Sequence, residues 1–242
     1  MAARLPDGMR LYAVGDIHGR ADLLSLLLDR IAEDAAAAGA RERVLVFVGD
    51  YVDRGPDSRG VVERLVRGAL PGFALHCLRG NHEQMMLDFL ADAEAGLLWL
   101  RNGGGATLAS YGLFPPDEDA AGLMSCRAGL AAALPISHRR FLQGLPLSAA
   151  FGDYLFVHAG IRPGRRLADQ DPFELMWIRQ PFLSSAAEHG AVVVHGHTPC
   201  DRPEDLPNRI NVDTGAFLSD TLSCVVLEGA ERRFLQAVAP SR

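Results

Sequence analysis

Hydrophobic residues gather in short dense runs along this chain. Leu11–Val14, Val44–Val48, Phe73–Leu78, Tyr154–Val157 and Val192–Val194 are the clearest. Runs of this length, not alternating with polar residues, predict strands buried on both faces, as in a layered α/β sheet. Between the early runs the period lengthens. From Asp22 to Ala38, residues Leu23, Leu24, Leu27, Leu28 and Ile31 share one helical face, and Gly39 suits the stop. Asp57 and Ser58 are candidate N-caps for a helix carrying Val61, Val62, Leu65 and Val66. With Met9–Val14 as the first strand and a Pro71-Gly72 turn before the third, the order is β-α-β-α-β, a sheet with helices on its faces.

Residues 84–150 break this rhythm. Met85–Leu90 continues a helix from the Asn81-His82 turn, and Ile136–Leu145 has helical spacing. Trp99–Gly105 reads as a flexible glycine-dense loop, without the Lys-Ser/Thr that follows a phosphate-cradling loop. Pro115-Pro116 and Asp117-Glu118-Asp119 mark another loop. The expectation is a helical, cap-like insertion at about 84–150 inside one domain spanning 1–242. After Gly144 strands dominate: Leu147–Phe151, Tyr154–Val157, Ala191–Val194, Arg209–Val212, Leu222–Leu227 and Phe234–Val238, with a short helix at Pro172–Ile178. These predict a second sheet packed on the first.

The polar residues that matter lie where the runs stop. Gly15-Asp16-Ile17-His18-Gly19, Gly49-Asp50 with Asp53-Arg54-Gly55, Gly80-Asn81-His82-Glu83, His158-Ala159-Gly160 and His195-Gly196-His197-Thr198 each follow a strand-like run. One such ending is an ordinary turn. A recurrence of this kind points to a site, because α/β folds place ligands at the C-terminal mouths of their strands. Asp16, His18, Asp50, Asn81, His158 and His197 form an oxygen and nitrogen donor set without thiolate, suited to Mn, Fe or Zn. A bridging carboxylate can hold two such ions ~3.5–4 Å apart and make a shared water acidic enough to serve as hydroxide. Arg54 can grip phosphate oxygens in a bidentate manner. His82 can protonate a leaving oxygen while Asp53 holds its other nitrogen.

The rest of the chain narrows the setting. A net charge of -6 argues against a nucleic-acid footprint. Cys77, Cys126, Cys200 and Cys224 are widely spaced and read as free thiols of a reducing compartment. The first residues lack the apolar core of a signal peptide, and no run approaches the roughly 18 apolar residues of a membrane span. The expected location is the cytoplasm, with no membrane partner.

At these strand ends the chain resembles the phosphoprotein phosphatase family of metallophosphoesterases, whose pattern is GDxHG, GDxVDRG, GNHE, HAG or HGG, and a late GH. Here the segments are GDIHG at 15–19, GDYVDRG at 49–55, GNHE at 80–83, HAG at 158–160 and GHT at 196–198, in the family's order. The resemblance implies a four-layer α/β/β/α sandwich with a dinuclear site between the sheets. It implies that Asp16 and His18 hold one ion, that Asp50 bridges, and that Asn81, His158 and His197 hold the other. It makes Arg54 a phosphate-binding arginine and the Asp53-His82 pair the general acid. Arg179, in LMWIRQPF, looks like the second phosphate arginine of bacterial-type members. WLRNGGGATLASYG also looks bacterial-type and puts Asn102 near the site. Arg162, just after HAG, is a further substrate candidate.

The implied activity is hydrolysis of phosphoserine or phosphothreonine in a protein or peptide, with Mn²⁺ as the expected metal. Its rival is symmetrical hydrolysis of dinucleoside polyphosphates such as diadenosine tetraphosphate. Relatives of that kind usually carry Ala at the position of Asp53. A non-catalytic phosphate-binding scaffold is the remaining alternative, but it should have lost a ligand or an arginine. Outside the motifs, His76 is expected to be packed in its strand and His138 and His189 solvated. His195 fits either a role behind the ligands or a plain strand end. Asp7, Asp22 and Asp57 fit turns and caps.

Overall fold

The computed structural model describes residues 2–39 and 42–240. In chain order the first half runs β1 (Met9–Val14), α1 (Ala21–Ala37), β2 (Glu42–Phe47), α2 (Ser58–Val66), β3 (Ala74–Cys77) and α3 (Asn81–Ala91). Then come α4 (Gly96–Trp99), α5 (Gly105–Ser110), α6 (Ala120–Ala133) and α7 (Ile136–Gly144). The second half contains β4 (Ser148–Phe151), β5 (Tyr154–Val157), α8 (Pro172–Trp177), β6 (Val192–His195), β7 (Glu204–Asp205), β8 (Arg209–Asn211), α9 (Ala216–Ser219), β9 (Thr221–Glu228) and β10 (Glu231–Val238).

The strands form two mixed five-stranded sheets, ordered β10-β9-β1-β2-β3 and β4-β5-β6-β8-β7. β1, β2 and β3 pair in parallel, as the early alternation predicts. β9 and β10 depart from the simplest expectation for the strand-rich second half. They form a hairpin with Glu228 opposite Glu231 and join the first sheet antiparallel to β1. Periodicity identifies a strand but not its neighbour, and this pairing spans most of the chain.

Alternation along β1 and β2 divides the core. Tyr12, Val14, Leu45 and Phe47 face outward into a cluster with Leu23, Leu27 and Ile31 of α1 and Val61 and Leu65 of α2. Leu11, Ala13, Val44 and Val46 face inward against Phe156, Val194 and Ile210 of the second sheet. Beyond that sheet, Leu155, Val157 and Val193 pack against Leu175 of α8 and Phe182. The result is an α/β/β/α sandwich. The Asp57 carboxylate caps α2 by accepting the Gly60 amide at 2.7 Å, a contact worth about 1 kcal/mol.

Residues of the 84–150 stretch join the outer cluster through Met85, Met86, Phe89, Trp99, Leu108, Leu130 and Leu142. Trp99–Gly105 is helical where a loop was expected. A widened turn at Leu100–Gly104, broken at Gly103 (φ 104°), links α4 to α5. Burial of Trp99 drives this: Gly104 lies against its ring, where a Cβ would come within 2.6 Å. α6 escapes a reading by period because its alanine-rich sequence has no sharp apolar stripe and buries only Leu123 and Leu130.

His138, expected in solvent, is fully buried. It bridges Tyr111 Oη at 2.8 Å and Glu63 at 2.7 Å, tying α7 to α2. His189 is half-buried near Asn208 and Phe182 rather than solvated. His76 packs edge-on against Phe151, as expected of a strand histidine. Among the described residues no single helix is long and apolar enough to cross a membrane.

Candidate active site

The loops after β1, β2, β3, β5 and β6 meet at one end of the two sheets. Their backbone is strained there: His18 (φ 45°), Asp50 (53°), Asp53 (74°), Arg54 (68°) and His197 (65°) all occupy the left-handed region. Each such residue costs on the order of 1–3 kcal/mol unless its surroundings hold it. Glu83 supplies part of that hold. Its buried carboxylate accepts the amides of Asp50 (2.9 Å), Tyr51 (2.8 Å) and Gly80 (2.9 Å). Gly80 leaves room for this closure, since a Cβ there would stand 2.1 Å from Asp50 Oδ1. Glu83 thus gives the fourth residue of GNHE a structural role. Burial pushes its carboxyl up to about 7.

Two groups of side chains converge: His18, Asp50 and His82, and Asp50, His158 and His197. Asp50 belongs to both, the arrangement a bridging carboxylate requires. Asn81 joins the second group, with Oδ1 2.9 Å from His158 Nε2 and 3.0 Å from His197 Nδ1. His18 Nδ1 lies 2.8 Å from the Val52 carbonyl and His158 Nδ1 lies 3.1 Å from that of Val48. Donation there leaves each Nε2 directed into the site. His158 Nε2 therefore faces two acceptor oxygens, Asn81 Oδ1 and Asp50 Oδ1 (3.4 Å). Acceptors set against one another are what a cation satisfies, and the residues present fit a pair of divalent ions.

The electrostatics agree. Burial lowers the pKa values of His18 and His197 to about 3, so both imidazoles are neutral, the form in which a metal ion could be held. Burial alone would raise the Asp50 carboxyl, but the imidazoles of His158, His82 and His18 hold it well below the ordinary range. Burial likewise opposes a charged His158, yet Asp50 raises its pKa, marking a position that favours positive charge.

Asp16 lies at the margin of these groups. It is buried nearby but lies in neither converging group, and His82 stands with His18 and Asp50 instead. The Asp16 carboxylate accepts the His197 amide at 3.1 Å, and burial with the nearby charges of Asp213 and Asp50 drives its pKa well above normal. Asp213 was missed by motif reading. It is buried, and burial, aided by the charge of Asp50 and opposed by the hydrogen bond from the Gly215 amide, moves its pKa up to about 6. The available signal was of the same kind as the others: Asp213-Thr214-Gly215 follows the end of β8.

His82 and Asp53 form a closed pair. His82 Nδ1 lies 2.7 Å from Asp53 Oδ2, and Nε2 points towards Asp50 at 3.8 Å. Burial works against a protonated His82, but Asp50 and the Asp53 hydrogen bond outweigh it and raise the pKa. Asp53 receives two further donors, Trp99 Nε1 (2.9 Å) and Thr107 Oγ1 (2.6 Å). Neither was singled out from sequence, because only the folded turn brings them to Asp53.

A cleft of about 520 Å³ opens over these groups, lined by Asp50, Arg54, Asn81, His82, Asn102, Trp177, Arg179, His197, Pro199 and Phe217. Arg54 donates to His18 Nε2 at 3.0 Å and lies over the Phe217 ring at 4.8 Å. Arg179 is exposed at the cleft, and Asn102 lies on its wall with its amide donating to the Leu98 carbonyl. Arg162 is not among the lining residues. Glu174 holds its guanidinium, and Gln170 accepts its amide, so its expected substrate role has no support in its placement. His195 is buried against Phe182 and joins neither ligand group. Asp22 pairs with Arg20, and Asp7 lies in an exposed turn.

The comparisons with known proteins meet this geometry. Residues 9–222 match the calcineurin-like phosphoesterase family. Serine/threonine-protein phosphatase 1 of Salmonella typhimurium is 31% identical over 221 residues, covering 88% of this chain and 89% of that protein. The asymmetrical bis(5'-nucleosyl)-tetraphosphatase PrpE of Bacillus subtilis is 27% identical over 236 residues, covering 87% of each. A solved structure put forward as a diadenosine tetraphosphatase superposes with a TM-score of 0.66 at 22% identity, covering 98% of this chain and 99% of that one, a likeness of fold. The matched span contains the strand-end segments from Asp16 to His197 and both sheets' ligand loops, so the chain belongs to the calcineurin-like phosphoesterases.

Proposed function

We propose that this metallophosphoesterase is a serine/threonine protein phosphatase, hydrolysing phosphomonoesters of a phosphorylated protein or peptide. One observation carries the choice: His82, paired with buried Asp53, stands beside the shared carboxylate Asp50. A serine or threonine alkoxide is a poor leaving group and needs a proton donor. Phosphoanhydride cleavage releases a phosphate oxygen that leaves readily without one.

Two divalent ions, with Mn²⁺ favoured and Fe or Zn also suited, would supply an acidified water and polarise the phosphoryl oxygens. Asp50 would be their common ligand, with His18 and Asp16 on one side and Asn81, His158 and His197 on the other. Arg54 and Arg179 would bind the equatorial phosphate oxygens, with Asn81 and Asn102 at the edge of that pocket. His82 would deliver a proton from Nε2 to the departing oxygen, and Asp53 would keep the proton on Nδ1 and fix the ring. Four free cysteines fit a cytoplasmic setting.

A second reading is hydrolysis of dinucleoside polyphosphates. It is favoured by the aromatic rings of Trp177 and Phe217 in the cleft wall beside Arg179 and Arg54, which could stack on a base. The experiment is a direct comparison of kcat/KM on a phosphothreonine peptide and on diadenosine tetraphosphate, with Mn²⁺. The peptide is the expected better substrate. A preference for the dinucleotide, symmetrically or asymmetrically cleaved, would overturn the proposal.

A further inference from the structure

Three donors converge on the Asp53 carboxylate, and two come from α4 and α5, on either side of the turn that links them. Trp99 Nε1 lies 3.0 and 2.9 Å from the two carboxylate oxygens, and Thr107 Oγ1 lies 2.6 Å from Oδ1. His82 Nδ1 takes the remaining position on Oδ2 at 2.7 Å. The Asp53 amide is held by the Thr107 hydroxyl at 2.8 Å and by Ser58 Oγ at 3.0 Å. Asp53, Ser58, Trp99 and Thr107 are all fully buried. Trp99 is itself seated against Phe89, with ring centroids 5.2 Å apart.

This arrangement does more than fill space. A buried carboxylate with a single donor could rotate about its Cβ–Cγ bond and meet His82 from several directions. Donors to both oxygens fix its plane, and with it the direction from which Oδ2 meets Nδ1. The same turn reaches Arg54: the Gly103 carbonyl accepts the Arg54 amide at 3.2 Å, and a Cβ on Gly103 would come within 2.8 Å of Arg54 Cγ.

We infer that Trp99 and Thr107 are positioning residues for proton delivery, acting on His82 through Asp53, so that the 84–150 segment builds the acid half of the site. This rests on the proposed role of His82 in phosphomonoester hydrolysis. Neither residue touches substrate. As a water-derived oxygen bonds to phosphorus, the ester P–O bond breaks, its electron pair goes to the leaving oxygen, and that oxygen takes the proton from His82 Nε2, which solvent water then restores. Trp99 and Thr107 hold the imidazole so that this nitrogen is in line.

The test compares Trp99→Phe, Thr107→Val and the hydroxyl-retaining Thr107→Ser with the native protein, all loaded with Mn²⁺. Each is assayed on a phosphoserine peptide and on para-nitrophenyl phosphate. Because nitrophenolate departs without a proton, Trp99→Phe and Thr107→Val should lose about ten-fold or more in kcat on the peptide but far less on the aryl ester. Thr107→Ser should restore the native ratio, and metal content should remain native. Equal losses on both substrates with metals retained would overturn the positioning role, leaving the two residues as packing alone. A second readout does not depend on activity. In metal-free protein, the His82 Nδ1 proton should give a slowly exchanging low-field NMR signal in the native chain and in Thr107→Ser, weakened by Trp99→Phe and Thr107→Val. An unchanged signal in both would also overturn the inference. If the native protein hydrolyses neither ester, the proposed function fails, and the proton signal still decides whether Trp99 and Thr107 order His82.

Discussion

Arg54 donates from Nη1 to His18 Nε2 at 3.0 Å. A metal ion and this guanidinium compete for one lone pair, so an ion on His18 would release Arg54 towards the cleft, where Phe217 still supports it from one face. Arg54→Ala should therefore retain native metal content. Loss of charge-assisted phosphate contacts worth about 1.5–3 kcal/mol each should cut kcat/KM by roughly ten- to a hundred-fold. Metal analysis beside steady-state kinetics checks both halves. A variant that loses its ions would make Arg54 a structural residue.

Asp50 is the member common to both groups of converging side chains. Asp50→Asn should lower occupancy of both ions together. Native protein reconstituted with excess Mn²⁺ should approach two equivalents by elemental analysis. A reproducible ceiling of one would contradict a shared carboxylate.

His82→Asn should keep both metals and lose on the order of a hundred-fold in kcat/KM for phosphoserine. The loss on para-nitrophenyl phosphate should be clearly smaller. Equal losses would mean that His82 positions phosphate or nucleophile rather than supplying the proton.

Glu83 closes the Asp50–Val52 loop onto the start of α3 through four buried amides, those of Asp50, Tyr51, Val52 and Gly80. Glu83→Ala leaves those donors without an acceptor. At about 1–3 kcal/mol for each buried unsatisfied group, the metal-free protein should lose about 3 kcal/mol or more. Urea unfolding measures it. A change below about 1 kcal/mol would show that the loop relaxes to solvent.

Burial lowers the His195 pKa to about 3 in the fold, against an ordinary 6.5. Below 6.5 the unfolded chain takes up a proton that the folded chain refuses, so this residue destabilises progressively as pH falls from 6.5 towards 3. The slope is about 1.4 kcal/mol per pH unit for a full proton difference. His195→Gln removes it, so in metal-free protein the variant should gain about 2 kcal/mol on the native chain between about pH 7 and pH 5. Denaturant melts at the two pH values give the difference, and a pH-independent gap would show that His195 titrates normally.

The sequence revealed most clearly what one strand and its following turn determine together. Asp50, Asn81 and His158 could be placed at a common mouth because parallel strands deliver their C-terminal ends to the same side. Asp57 could be read as a cap because its partner is three residues away. Interactions that depend on distant packing were hidden. Trp99 lies 46 residues from Asp53, inside a glycine-rich segment that looks like a loop until the indole is buried. His138 reads as a solvent residue for the same reason, since its partners Glu63 and Tyr111 lie on α2 and at the end of α5. Arg162 shows the converse: adjacency to His158 along the chain leaves its guanidinium on Glu174, outside the residues that line the cleft.

The residues that would hold the ions come from opposite walls of the sandwich. Asp16, His18, Asp50 and Asn81 follow strands of the first sheet, whereas His158 and His197 follow β5 and β6 of the second. Between those walls lies an apolar layer, Val44 and Val46 against Phe156 and Val194, whose contacts are non-directional. Ions held from both sides would act as rivets at one edge of that layer, fixing the lateral register that greasy contacts leave soft. Chelation would then do more than silence chemistry: it would let the two walls shear, and the melting temperature would rise with free ion concentration as bound metal clamps them.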